Sequence, residues 1–330
     1  MDTIEEFLKN SNMPANASMT ARLHEPLAKH TTFNVGGAAA LWARPNQKDG
    51  ADLIAAIFQR ARLQGVPVRV LGRGANVVFS DDGFPGVVLD TGGWSGVETF
   101  DQESGRIVFR AGMRIDRAVE TLAKHSFGVP DEEASCDVMS VLLDLGYGGL
   151  EFLAGMPGTI GGAVYMNARC YEQSTADRLV SAAIIDERLR SVTVPFRAAE
   201  WGYKKSPFQN RNTLITAAEF SLYKKEKGAL LADMEAHRAD RARKGHYRFP
   251  SAGSVFKNNH AFGMPTGKII DELGLRGLSH GGAMVAPFHG NIIVNAGGAT
   301  AADIRFLVDD IAQRVRKSMG FELETEIVFI

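Results

Sequence analysis

The spacing of apolar and polar positions changes several times along the chain, and each change predicts an element. Over Asp52–Gly65 apolar residues recur every three or four positions and end at a glycine, the pattern of an amphipathic helix with its stop. The period shortens over Val66–Gly72, which predicts a strand, and a second strand over Gly86–Asp90 follows the acidic turn Asp81–Gly83. Ile107–Phe109 reads as a short strand and Ile115–His125 as a helix. Strand patterns return at Val180–Asp186 and Ser191–Phe196, helical ones at Leu230–Gly245 and Ile304–Met319, and Leu323–Ile330 closes the chain as a strand. A short helix within residues 1–20 and an inserted helix over Val138–Leu145 complete the pattern, the latter after a break at Pro130, which has no amide hydrogen to donate. Helix and strand are interspersed throughout, with no internal repeat and no low-complexity linker.

A chain of 330 residues is long enough for two or three domains. Its 37 basic and 38 acidic side chains nearly cancel, to a formal charge of -1, which gives no general attraction for nucleic acid or an anionic membrane. Cys136 and Cys170 are its two cysteines, too few for a disulfide framework and too far apart for a compact metal motif, so no metal is expected. The N-terminus, MDTIEEFLKN, has acidic residues where a secretory signal needs basic ones, and no apolar run approaches the roughly 20 residues of a membrane helix. The expectation is a cytoplasmic protein without membrane insertion.

Glycine clusters supply the first candidate chemistry. TTFNVGGAA at Thr31–Ala39 and LGRGANVVFSDDG at Leu71–Gly83 bring backbone amides where an anion such as a pyrophosphate can approach, and Asn76 adds a side chain that both donates and accepts. Tight turns without a ligand explain either cluster equally, and the third glycine of a dinucleotide fingerprint is missing after Gly72 and Gly74. A third cluster, AGMPGTIGGAVYMNA at Ala154–Ala168, suits close backbone contact with a large flat ligand, or a packed turn. PSAGSVF at Pro250–Phe256, running into Lys257 and Asn258, sets a small hydroxyl in a glycine-broken segment beside a basic residue. Such a group can protonate a carbanion, or simply serve a turn.

In this order, TTFNVGG, LGRGANVV, GLEFLAGMPGTIGGAVYMNA, PSAGSVFKN and the terminal LETE resemble the UDP-N-acetylenolpyruvoylglucosamine reductases, flavoenzymes of peptidoglycan precursor synthesis, in their shorter form. The resemblance runs from about Thr31 to Glu326. It implies an α+β protein: a split FAD-binding fold of the vanillyl-alcohol-oxidase type with an α+β substrate-binding domain. The expected division is a first FAD subdomain over 20–98 joined by the C-terminal strand 316–330, a second over 99–228, and the substrate domain over 229–315.

The implied reaction is NADPH-dependent reduction of UDP-N-acetylglucosamine enolpyruvate to UDP-N-acetylmuramate through FAD, by a monomer. NADPH reduces the flavin and leaves, and hydride then passes to the enolpyruvyl β-carbon. By the same resemblance Ser254 supplies the proton, Glu326 assists the enolic intermediate, and Lys204 stands where the family has arginine. Gly72, Arg73, Gly74, Ala75, Asn76, Gly155, Pro157, Gly158, Thr159, Gly162 and Asn167 are expected at the cofactor, and Tyr203, Lys244, Lys257 and Asn258 at the substrate. His289 and Asn295 read as structural support. Two departures stand out besides Lys204: Arg169 and Cys170 replace small residues after MNA, and the connection at 128–146 is longer than usual. A lysine keeps positive charge but loses the planar fork that grips a carboxylate twice. Two alternatives therefore stay open: a catalytically weakened FAD or UDP-sugar-binding protein, and a flavin oxidase that uses oxygen.

Overall fold

The helix expected over Asp52–Gly65 spans Gly50–Leu63 in the computed structural model, which describes residues 19–46, 50–124 and 144–330. The strand expected over Val66–Gly72 is shorter, Val68–Leu71, because Pro67 has no amide hydrogen for a ladder. The helix expected from Leu230 begins at Lys227: the Glu226 carboxylate accepts from the amides of Gly228 at 2.7 Å and Ala229 at 2.6 Å, satisfying the first turn. It ends at Arg243, ahead of Gly245, whose φ of 82° leaves the helical region.

The helix expected within residues 1–20 lies outside the described residues except for Met19 and Thr20, which open a strand instead. The inserted helix over Val138–Leu145, like most of the 128–146 connection and Cys136, also falls outside them. Leu145 itself begins the strand Leu145–Gly148. The closing strand Leu323–Ile330 is broken in two. Thr325 bridges Phe256, and Val328–Phe329 runs parallel to Val77–Val78, so the chain changes partner between them.

Contacts within the chain divide it into two compact units. The first comprises the described part of Met1–Ala21 with Ala43–Gly72 and Val88–Ala239. At its centre is a five-stranded antiparallel sheet in the order Ser191–Pro195, Leu179–Ile185, Leu214–Ser221, Arg106–Arg110, Val97–Asp101. The helix Ile115–Lys124 buries Ile115, Ala118, Val119, Leu122 and Ala123, a stripe of helical period. The short helix Ile160–Met166 buries Ile160, Ala163 and Val164 in the same core, with Phe109, Phe152 and Phe220.

The second unit comprises Arg22–Trp42, Arg73–Val87 and Asp240–Ile330. Its three short antiparallel strands, Ser279–His280, Ala283–Val285 and Ile293–Asn295, share a core with the helix Ala301–Met319, which buries Ile304, Leu307, Val308, Ile311 and Val315. That helix starts where its orphan amides find acceptors. Thr300 and Asp303 form a reciprocal capping box, and Asp81 takes the amides of Ala301 at 2.8 Å and Ala302 at 3.0 Å. Val255 and Phe256 of the PSAGSVF segment are buried in this core, which anchors the backbone on which Ser254 stands.

Candidate active site

Ser254 lies in a stretch of backbone paired on both sides within the second unit. On one side it bridges Ile292, and the Val255 amide donates to Asn291 O at 2.9 Å. On the other, Phe256 bridges Thr325, the Glu326 amide donates to Val255 O at 2.7 Å, and the Lys257 amide donates to Glu324 O at 2.8 Å. The fold thereby draws together PSAGSVFKN and LETE, 67 residues apart at the Lys257 and Glu324 pair. Glu326 is held one residue from Ser254 in the pairing. Asn76 joins them: its side-chain amide donates to Glu326 O at 3.0 Å, and its own carbonyl accepts from the Val328 amide at 2.9 Å. Among the described residues Ser254 Oγ has no hydrogen-bond partner, and Gly253, at φ 75°, has nothing within 4 Å of where a Cβ would stand.

The glycine segments leave bare backbone for a different reason in each unit. In the second, Gly74 has φ 60° and its Cβ would lie 2.3 Å from His30 O, so no side chain fits at this position. The Thr32 amide donates to Gly74 O at 3.1 Å, and Arg73 beside it is exposed. In the first unit a Cβ on Gly72 would lie 2.4 Å from Thr159 Oγ1. Thr159 caps the helix Ile160–Met166, accepting from the Gly162 amide at 3.3 Å. Gly158 and Ile160 pair with the Met113–Ile115 backbone, while Pro157 and Gly162 stay exposed. The Gly155 amide donates to Asp116 Oδ1 at 2.8 Å, a contact the sequence reading missed. Aspartate in the first turn of a helix normally signals only that turn.

Asn167 is spent on the fold's own backbone. At φ 42° it ends the helix, its Oδ1 accepts from the Ala176 amide at 3.0 Å, and its Nδ2 donates to Gly202 O at 2.8 Å. That second bond fastens a tight reversal in which Gly202 and Lys205 exchange backbone hydrogen bonds, with Tyr203 and Lys204 at the tip. Lys204 has φ 54°, and its carbonyl accepts from Gln209 Nε2 at 3.1 Å. Ser206 Oγ donates to Tyr165 O at 2.6 Å. The Tyr203 and Lys204 turn is thus bolted to the end of the glycine-rich segment. Tyr203 is 40% exposed, with the Arg169 guanidinium 5.9 Å from its ring.

The expected substrate residues of the second unit are engaged with neighbours. Lys257 Nζ reaches Glu324 at 2.6 Å and Lys244 Nζ reaches Asp240 at 2.6 Å. Asn258 Oδ1 accepts from the Thr266 amide at 2.9 Å, at the start of the helix Thr266–Glu272. Asn295 is a structural support: its Nδ2 donates to Phe33 O at 3.2 Å, and its Oδ1 accepts from the Gly297 and Ala299 amides. Among the described residues no group of three or more His, Cys, Asp or Glu is placed to hold a metal ion. No helix among them is long and apolar enough to cross a membrane.

His246 and His289 stand with ring centres 6.2 Å apart. Burial pushes His246 down to about 4, helped by Arg241, His289 and Lys244 and opposed by Asp240. Burial also lowers His289, against the pull of Asp271. A histidine held neutral in the fold but free to charge when unfolded costs stability as pH falls from about 6.5 towards about 4, and nothing above that window. After discounting for partial exposure, His246 accounts for a loss on the order of 1 kcal/mol. Urea titrations at pH 7 and pH 4.5 should therefore show a smaller acid loss for His246→Gln than for the unsubstituted chain. Identical losses would rule out this residue as the cause.

Residues 245–330 match the family model described as UDP-N-acetylenolpyruvoylglucosamine reductase, C-terminal domain, and residues 49–142 match that of an FAD binding domain. The UDP-N-acetylenolpyruvoylglucosamine reductase of Treponema pallidum (strain Nichols) is 35% identical over 95% of this chain and 94% of its own. That of Borreliella burgdorferi is 34% identical over 99% of this chain and 98% of its own. The crystal structure of UDP-N-acetylenolpyruvylglucosamine reductase from Thermus caldophilus superposes with a TM-score of 0.70 at 30% identity, covering 95% of this chain and all of that one. With an FAD-binding domain, a mixed α and β architecture and near-complete coverage of these relatives, the chain belongs to the UDP-N-acetylenolpyruvoylglucosamine reductase family.

Proposed function

We propose that the protein reduces UDP-N-acetylglucosamine enolpyruvate to UDP-N-acetylmuramate, taking its electrons from NADPH through FAD. The observation that carries this reading is the backbone pairing of Val255 with Glu326, which sets the acidic residue in register one position from Ser254. FAD is assigned to Gly72, Gly155, Pro157, Gly158, Thr159 and Gly162 and to Arg73, Gly74, Ala75 and Asn76, of which Arg73, Pro157 and Gly162 are exposed. The glycines at 72 and 74 are also required by the fold itself, since a Cβ there would meet Thr159 or His30 O. The wider fold is then of the vanillyl-alcohol-oxidase type. Flavin bound there would supply two-electron chemistry, coupling oxidation of NADPH to hydride addition at the enolpyruvyl β-carbon.

Hydride addition at the β-carbon leaves an electron pair on the α-carbon, shared with the adjacent carboxylate. Ser254 Oγ–H gives its proton to that carbon, and solvent restores the hydroxyl. Serine is a poor acid, so the reaction needs positive charge and hydrogen bonds near the developing negative charge. Lys204 supplies charge as a point donor, and the Glu326 carboxyl orients the substrate carboxylate. Tyr203, Lys244, Lys257 and Asn258 serve the UDP-sugar, the lysines exchanging their carboxylate partners for its diphosphate. The sum is substrate, NADPH and one proton in, the lactyl ether and NADP+ out.

NADPH oxidation that depends on added UDP-N-acetylglucosamine enolpyruvate, with one lactyl product per NADPH, is the expected steady-state result. Oxygen-dependent turnover without that substrate would instead indicate an oxidase. Lys204→Arg restores a two-pronged donor at a turn whose positive φ burdens arginine no more than lysine. Turnover should rise by about 3- to 10-fold with flavin content unchanged. A fall would show that this turn is built around lysine.

A further inference from the structure

We propose that Asn291 is a positioning residue for proton delivery: its buried side chain sets the backbone that presents Ser254. The proposal rests on the reading of Ser254 as proton donor. Asn291 is 3% exposed and spends both ends of its amide on one residue. Its Oδ1 accepts from the Phe256 amide at 2.9 Å, and its Nδ2 donates to Phe256 O at 2.8 Å. A side chain thus takes the place of a strand partner. Its own carbonyl accepts from the Val255 amide at 2.9 Å, and the next residue, Ile292, bridges Ser254.

These contacts are concentrated on residues 254–256. The front of the loop is tied separately, where the Asn295 amide donates to Pro250 O at 2.9 Å and Thr32 Oγ1 donates to Ser251 O at 2.7 Å. Between the two anchorages lies Gly253, which touches nothing within 4 Å of a would-be Cβ. The position of Ser254 is therefore set from residues 254–256, which Asn291 and Ile292 hold on one side and Thr325 and Glu326 on the other. Asn291 is itself oriented, since its amide donates to His289 Nδ1 at 3.1 Å. Both amide atoms are matched to one peptide unit, which fixes the orientation of that unit more tightly than bonds to separate partners would. Proton transfer is sensitive to such placement, and a displacement of about 1 Å can cost about 100-fold in rate.

The test uses the full-length flavoprotein and measures its two half-reactions apart. Asn291→Ala removes both bonds. Asn291→Asp is close in shape and keeps an acceptor for the Phe256 amide, but as a carboxylate it cannot donate to Phe256 O, and it decides the matter if the alanine variant fails to fold. In either variant, NADPH should reduce the flavin within about twofold of the normal rate, while reoxidation by the enolpyruvyl substrate slows by about 10- to 100-fold. On a Ser254→Ala background the same change should slow reoxidation by less than about twofold, because its route runs through the missing hydroxyl. Unchanged reoxidation, equal slowing of both half-reactions, or full additivity with Ser254→Ala would overturn the proposal. Failure of the unsubstituted protein to reoxidise with this substrate would overturn the functional reading beneath it, a result told apart by needing no variant.

Discussion

Ser254→Ala should leave flavin reduction by NADPH at its normal rate and slow reduction of the enolpyruvyl substrate by about 10³-fold. The substitution removes one oxygen and nothing that holds the loop. The pairing with Ile292, the Asn291 clamp on Phe256 and the bond from the Glu326 amide to Val255 O all use backbone or other side chains. Ser254 Oγ has no hydrogen-bond partner among the described residues, so no buried group is orphaned by its loss. Stability should stay within about 0.5 kcal/mol, the range of substitutions that break no packing or polar network. Loss of activity with intact folding and an intact reductive half-reaction isolates the proton step. Product formation at the normal rate would remove Ser254 from the chemistry.

Glu326→Gln should lower turnover by about 100-fold while leaving flavin binding and the C-terminal pairing intact. Glutamine keeps the length and the backbone of residue 326, so the bonds to Val255 O and from Asn76 Nδ2 persist. What it loses is the carboxyl group, the part proposed to act on the substrate carboxylate as charge builds there. Truncation before Glu326 would test something else, because Val328 and Phe329 pair with Val77 and Val78, and Ile330 O accepts from the Ser80 amide at 2.8 Å. Normal turnover in Glu326→Gln would reduce this residue to a backbone role.

Much of the architecture was legible because its signals are local. The helix Ile115–Lys124 and the core-facing stripe of Ala301–Met319 follow from spacing alone. Boundaries were missed where a distant or flanking side chain supplies the cap, as Glu226 does for the helix beginning at Lys227 and Asp81 for the one beginning at Ala301. The C-terminal run LETEIVFI looks like one strand in sequence. Its change of partner, from Phe256 to Val77 and Val78, depends on segments some 70 and 250 residues earlier, which periodicity does not report.

The candidate site divides in the same way. Ser254, Glu326 and the glycine clusters announce themselves through motifs, but the residues that position them do not. Asn291 sits in an apolar run, HGNIIVN, where a lone asparagine carries no pattern, and its clamp on Phe256 appears only once the strands are paired. Asn167 shows the same limit. Its place in a glycine-rich motif suggests a cofactor contact, while the bracket that its side chain forms between the Ala176 amide and Gly202 O is signalled by no motif.

In the proposed reaction one flavin carries electrons from NADPH to the enolpyruvyl group while this chain supplies the proton. The most direct test is an anaerobic single turnover: reduce the flavoprotein with one equivalent of NADPH, then add UDP-N-acetylglucosamine enolpyruvate and follow flavin absorbance and product together. Reoxidation of the flavin matched by one equivalent of UDP-N-acetylmuramate is the predicted result. A flavin that stays reduced until oxygen is admitted, with no lactyl product, would contradict it.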